Sequence, residues 1–268
     1  MPKIRSTIGR CVSAARRLLH IVVLAGALAA CSTVPDQHND PLEPVNRHIF
    51  AANQAVDTML VRPVAVVYRD LMPKPFKMII GNVLTHVTLP LTFIHDLLQG
   101  KPEDAKIALG RFFINSTAGI GGLFDIATPA GFPLHREDMG QTLAVHGAED
   151  GPYIVLPLLG PSSVRDATGT LLDFLIDPVA WATYGSNAST VIGPGRAIVN
   201  GVVEREKLIE PLDALRDSVD YYAAVRSAYR QRRELQIRDG KAKPQKEEDD
   251  PFASFETEDD EYDKPAPQ

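Results

Sequence analysis

The chain has 268 residues, 44% of them hydrophobic, and a formal net charge of −6. That length suffices for one sizeable domain, and neither the nearly neutral body nor the acidic C-terminal segment is basic enough for nucleic-acid binding. With only Cys11 and Cys31, no disulfide framework is available.

Residues 1–30 read as an address. Lys3, Arg5, Arg10, Arg16 and Arg17 precede an apolar run, Ile21–Ala30, that is too short to span a bilayer and ends in small residues. The cut, Leu28-Ala29-Ala30-Cys31, looks like a bacterial lipobox, in which Cys31 becomes an acylated N-terminus. Each buried methylene is worth roughly 0.8 kcal/mol, so two or more chains anchor stably. Ser32 resembles the sorting pattern for the outer membrane, and residues 31–39 form a short polar tether. At the other end, residues 247–263 hold ten carboxylates and no base, leaving the body between nearly neutral. Such an acidic segment buries too little apolar surface to offset ordering entropy. Residues 241–268 therefore read as a disordered tail, either simply solvated or docking a basic partner.

In the body, residues 40–240, Asp40-Pro41-Leu42-Glu43 has the form of a helix start. From there Val45, Ile49, Ala52, Val56 and Met59 keep helical spacing, while Asn46, Asn53 and Asp57 share another face. Pro63 opens a helix to Leu71. Further helices are expected at 76–86 and 90–99, the latter ended by Gly100. Pro102, with Glu103 and Asp104 in the first turn, starts one that carries Phe112 and Asn115. Ser162 or Ser163 to Ile176, Pro194 to Ile209, and Asp217 or Ser218 to Arg238 complete the set, and the last is expected to bury Val219, Tyr222, Val225 and Tyr229. Strand signals are few, with Tyr153–Leu159 the best. The fold class is mainly α with little or no sheet. No mature stretch has eighteen uninterrupted apolar residues, so no helix is expected to cross a bilayer. Greasy stretches at 61–68, 78–84 and 107–114 suggest short helices lying within one leaflet.

The block from Arg111 to Asp166 is rich in glycine and proline and contains no lysine. Irregular apolar backbone of this kind must be covered by protein or line a cavity. Catalytic readings of it are weak. Gly119-Ile120-Gly121-Gly122 follows a helix and lacks a phosphate-loop frame, so a turn or close packing accounts for it better. Ser162, Ser163 and His146 match no nucleophile motif. The spacing of His86, His95 and Asp96 matches no metal motif. Arg165-Asp166 reads as an ion pair or helix-start clamp, and Asn115 as a side chain that bonds backbone where its helix breaks. No catalytic residue, metal ligand or cofactor is assigned.

Several blocks then occur together in order: Asp40-Pro-Leu-Glu-Pro-Val-Asn46-Arg47, Arg62-Pro63, Leu98-Gln99-Gly100, Arg111-Phe-Phe-Ile-Asn115, Gly119 to Asp125, Gly140-Gln-Thr-Leu143, and Gly151-Pro-Tyr153 to Pro161 with Arg165-Asp166. Over about residues 40–238 the chain resembles the VacJ/MlaA lipoproteins, departing at Ala52, Val83 to His86, Ala144 and Glu149. The resemblance implies a ring of short helices in the periplasmic leaflet of the outer membrane, around an amphipathic channel. It also implies removal of mislocalised phospholipid from the outer leaflet, a trimeric porin partner and a soluble periplasmic carrier, MlaC. A passage that moves lipid without bond cleavage needs no catalytic group. Met139 to Tyr153 is the candidate gate, hinged at Gly140, Gly147 and Gly151, with a rigid turn as the alternative. Asn46, Arg111, Asn115, Asp125, Arg165 and Asp166 are the candidate supports. A lipid hydrolase and a structural envelope tether are the other two functional classes.

Overall fold

A computed structural model describes residues 39–186 and 189–241. Cys31, the signal, the tether up to residue 38 and the acidic tail from residue 242 therefore lie outside the described residues. Helix α1 (Glu43–Val56) has Pro44 in its first turn but no side-chain cap. Asp40 does not cap it as expected; its carboxylate accepts from Tyr222 and Arg226 far along the chain, at 2.5 and 2.6 Å. A π-helical turn at Asp57–Val61 leads directly into α2 (Arg62–Leu71).

The two helices expected at 76–86 and 90–99 are one, α3 (Lys74–Leu98), with Pro90 inside it. Proline removes one hydrogen bond, here to the His86 carbonyl, yet its fixed φ is itself helical. Long apolar flanks on both sides supply the propagation that carries the helix through. At about 37 Å, from 1.5 Å per residue, α3 is long and apolar enough by length and composition to cross a membrane. This corrects the expectation that only short helices occur. Gly100, at φ 72°, closes α3, with Lys101 N–H donating to Asp96 O at 2.9 Å. The next helix, α4 (Pro102–Thr117), starts as its proline and acids demand.

After an irregular stretch come α5 (Met139–Val145), strands β1 (Tyr153–Leu156) and β2 (Gly160–Ser163), and α6 (Val164–Ile176). The strands pair antiparallel, Tyr153 opposite Ser163, as the only sheet among the described residues. Ser163 caps α6, accepting from Asp166 N. Then α7 (Pro178–Thr183), α8 (Ser189–Lys207), α9 (Ile209–Arg216) and α10 (Tyr221–Ile237) complete the fold. Proline again lies inside a helix, at Pro194 in α8. The cap of α10 is Asp220, not Asp217 or Ser218, which leaves Val219 fully exposed outside the helix.

Neighbouring elements close a circuit. α1 packs on β1, β2 on α6, α6 on α7, α7 on α8, and α8 on α2, which rejoins α1 through the π turn. α3 touches α5, α7 and α8. The apolar core is small: Tyr153, Val155 and Tyr222, flanked by Ile49, Phe50 and Tyr229.

Polar and apolar residues partition the wrong way round for a protein in water. Sixteen polar or charged residues are buried among the described residues, against eleven apolar ones. Outside stand Met59 (81% exposed), Leu71, Phe76, Met78, Leu158, Leu159, Phe174, Trp181 and Tyr184. Three of the spaced apolar residues that run from α1 into the π turn follow suit. Val45, Val56 and Met59 face outward, whereas the polar face turns inward to hold the hairpin.

Candidate functional site

The inward face of α1 builds the first part of the site. Asn46, 2% exposed, donates to Asp40 Oδ1 (2.8 Å) and to Tyr153 O (3.0 Å), and accepts from Val155 N (3.0 Å). Two turns on, Asn53 donates to Leu156 O and accepts from Leu158 N. One helix face thus reads the backbone of β1 as a missing strand would. Asp57, another turn further, pairs with Arg205 of α8 at 2.6 Å.

A second cluster closes the loop after α4. Arg111 is 1% exposed; its guanidinium donates to Thr128 Oγ1 (2.8 Å), Phe132 O (2.5 Å) and both oxygens of Asp125 (3.1 and 3.0 Å). Asn115 accepts from Ile126 N and Ala127 N and donates to Asp125. It does bond backbone where its helix breaks. The Gly119–Gly122 turn is one of close approach, since a Cβ on Gly119 would stand 2.6 Å from Asn115 O.

Burial alone would raise the Asp125 carboxyl, but bonds from Thr128, Arg111 and Asn115 outweigh it and bring its pKa from 3.8 to about 2. Because the folded value is the lower one, this stability is present above pH 4 and lost as pH falls toward 2. An acid titration followed by circular dichroism should show Asp125→Asn with a flatter limb between pH 4 and 2 than the wild type. Parallel limbs would remove Asp125 from acid unfolding.

The third cluster lies where α5, α6 and α10 meet. Asp138 caps α5 and takes two bonds of 2.7 Å from Arg233. Asp166 accepts from Arg165 Nε (3.1 Å), Arg233 Nη2 (3.0 Å) and Tyr229 Oη (2.5 Å). Burial pushes both carboxyls up, and their arginine partners more than reverse it, so both end below the usual carboxylate range. Gly140, expected as a hinge, is instead locked in this crossing: a Cβ there would lie 2.6 Å from Asp166 Oδ1. Its partner is Gly169, whose added Cβ would stand 2.5 Å from Gly140 N. Backbone cannot yield as a side chain tip can, so Gly169→Ala should cost about 1–3 kcal/mol. Chemical unfolding measures this directly, and a neutral result would mean that the two helices can part.

Between α5 and β1 runs the loop that the candidate gate occupies. Ala148 N–H donates to Leu143 O and Gly147 N–H to Ala144 O, both at 2.9 Å. This is a Schellman end, with Gly147 at φ 87° in the left-handed position it requires. Gly151 has φ 66°, and its carbonyl accepts from Asn39 Nδ2 at 2.7 Å. Met139 is held through its N–H by Asp173. A cavity of about 570 Å³ lies under the loop, lined by Ala148, Gly151, Tyr153, Arg165, Asp166 and α10. A second, apolar cavity of about 350 Å³ separates α3 from α8.

The structure therefore brings Gly140, Gly151, Tyr153, Arg165 and Asp166 together, with Asn46 behind β1, and sets Arg111, Asn115 and Asp125 in a separate cluster. Sequence reasoning missed Asp138, Gly169 and Arg233, and read Asp40 only as a helix start and Tyr229 only as a buried side chain. Arg226, Tyr229 and Arg233 of α10 meet carboxylates that lie 63 to 186 residues away.

No nucleophile arrangement forms from the named residues: Ser162 Oγ donates to Ser163 O, and His146 Nδ1 bonds Thr142 O. His95 bonds Thr142 and Asp173, Asp96 bonds His135, and His86 bonds Ser116. No group of residues that could hold a metal occurs among the described residues.

A family model described as MlaA lipoprotein matches residues 38–236. An intermembrane phospholipid transport system lipoprotein MlaA from Shigella flexneri is 34% identical over 221 residues, 81% of this chain and 86% of that protein. The Haemophilus influenzae protein of the same description is 30% identical over 244 residues, 87% of this chain and 94% of its own. A solved structure described as the structural basis for maintenance of bacterial outer membrane lipid asymmetry is 35% identical. It covers 74% of this chain and 98% of its own, with a TM-score of 0.63.

Proposed function

Since the chain belongs to the MlaA lipoprotein family, we propose that it removes mislocalised phospholipid from the outer leaflet of the outer membrane and passes it to a periplasmic carrier. The observation that carries this reading is the inverted partition, with ion pairs and amides inside and large apolar side chains outside. A surface of that kind is stable in contact with lipid, not water. The closed circuit of neighbouring elements supports a ring around an amphipathic passage. The protein sits at the periplasmic face of the outer membrane, anchored through Cys31, with a trimeric porin as lateral partner and MlaC as acceptor. It moves lipid without bond chemistry, a reading supported by Ser162, Ser163 and His146, which bond backbone groups and form no Ser–His pair.

The loop at 146–151 is the gate, turning about Gly147 and Gly151, the two positions with left-handed backbone. Mass spectrometry of lipid extracted with the purified, full-length protein tests the reading. Co-purified phospholipid is expected, whereas a structural tether would carry none and a hydrolase would carry lysophospholipid and fatty acid. A short bifunctional crosslink between cysteines at Ala148 and Ile237, which line the same cavity, should stop lipid removal in cells without unfolding the protein. Full removal with the crosslink in place would eliminate the gate.

A further inference from the structure

Four residues that line the cavity beneath the loop carry a buried donor with no hydrogen-bond partner among the described residues: the Tyr153 hydroxyl, Arg165 Nη2, Arg238 Nη1 and Arg233 Nε, the last within an ion pair to Asp166. Two of these donors sit on buried residues. The Tyr153 hydroxyl is one, on a residue 2% exposed; Arg165 Nη2 is the other, on a residue 8% exposed. An unpaired buried donor is destabilising, so two of them beside one cavity mark a place for an acceptor from outside. Arg165 is held in place for this. Its Nε lies 3.1 Å from Asp166 Oδ1 and its Nη1 2.5 Å from Asp150 Oδ1, so only Nη2 is left over. Tyr153 is fixed by edge-on packing against Tyr222 and by Tyr229, ring centroids 6.2 and 6.0 Å away. Burial pushes its phenol up, so the hydroxyl keeps its proton and remains a donor.

A fork nitrogen and a phenol together suit the oxygens of a phosphate. The lining as a whole carries four arginines and four carboxylates. The cavity is therefore neutral, which matches a head group bearing both a phosphate and an amine better than a purely anionic one.

We propose that Tyr153 and Arg165 form a docking site for the phosphodiester of a zwitterionic phospholipid head group, held under the loop between α5 and β1. This rests on the phospholipid reading given above and names the residues that grip the head. The site engages the phosphate of an intact lipid; it breaks no bond.

The test uses the full-length protein in detergent and the variant Tyr153→Phe. Because the hydroxyl has no partner in the protein, its removal should leave the melting temperature unchanged or raised, so a binding defect is not a folding defect. Binding is measured for short-chain phosphatidylethanolamine, short-chain phosphatidylglycerol, the matching diacylglycerol, and inorganic phosphate. The wild type should prefer phosphatidylethanolamine over both other lipids. Tyr153→Phe should weaken that binding about tenfold or more and leave diacylglycerol binding unchanged. Arg165→Lys, which keeps the charge but lacks Nη2, should repeat the loss.

Phosphatidylethanolamine binding equal in wild type and Tyr153→Phe overturns the site while leaving the transport reading intact. Tighter binding of phosphatidylglycerol overturns the zwitterionic assignment, and binding of inorganic phosphate alone overturns the head-group assignment. Failure of the wild type to bind any of the lipids overturns the transport reading itself.

Discussion

Arg111→Ala should lower the stability of the folded domain by about 3–5 kcal/mol, the usual loss when one partner of a buried ion pair is removed. The guanidinium is 1% exposed and reaches Thr128, the Phe132 carbonyl and both Asp125 oxygens. Its removal leaves the Asp125 carboxylate with Asn115 and Thr128 only, and the Phe132 carbonyl without this donor. For a domain of this size the change corresponds to a fall of roughly 6–20 °C in melting temperature. Arg111→Lys should recover less than half of it, because an ammonium cannot reproduce the fork that holds two carboxylate oxygens at once. Calorimetry of the detergent-solubilised protein checks both, and a loss under about 1 kcal/mol for Arg111→Ala would show that water replaces the guanidinium at no cost.

Asp166→Ala should cost about 3–4 kcal/mol, and for a different reason. This carboxylate joins two elements through three residues: Arg165 on its own helix, and Tyr229 and Arg233 on α10. Without it Arg165 keeps only Asp150 and the Ala148 carbonyl, while Arg233 keeps Asp138. Asp166→Asn retains an acceptor oxygen and should fall between the wild type and alanine. Urea unfolding of the three proteins gives the order, and equal stability of alanine and asparagine would place the whole effect in the lost charge. The Asp166→Ala variant should also loosen the base of the cavity under the loop, since this carboxylate ties α6 to α10 and both line it.

The helical class, the proline-started helices α2 and α4, the cap at Ser163 and the strand from Tyr153 were legible because each depends on neighbours within a few residues. So was the shared polar face of Asn46, Asn53 and Asp57, which follows from 3.6 residues per turn. What that face would meet was not legible. Helical spacing states that two faces differ but not which solvent each one sees. The convention that apolar faces turn inward does not hold here: Val45, Val56 and Met59 point out while Asn46 is buried.

Pro90 and Pro194 misled for a related reason. Proline forbids one hydrogen bond, and whether a helix survives that loss depends on its whole length and packing. The tertiary structure alone decided the partners of Asp40, Asp138 and Asp166. Apart from Arg165 beside Asp166, their arginines and tyrosines lie 63 to 186 residues away along the chain, and no periodicity extends that far. It also decided the crossing of Gly140 with Gly169. In sequence these are two ordinary helix glycines, and only the approach of α5 to α6 shows that neither position has room for a side chain.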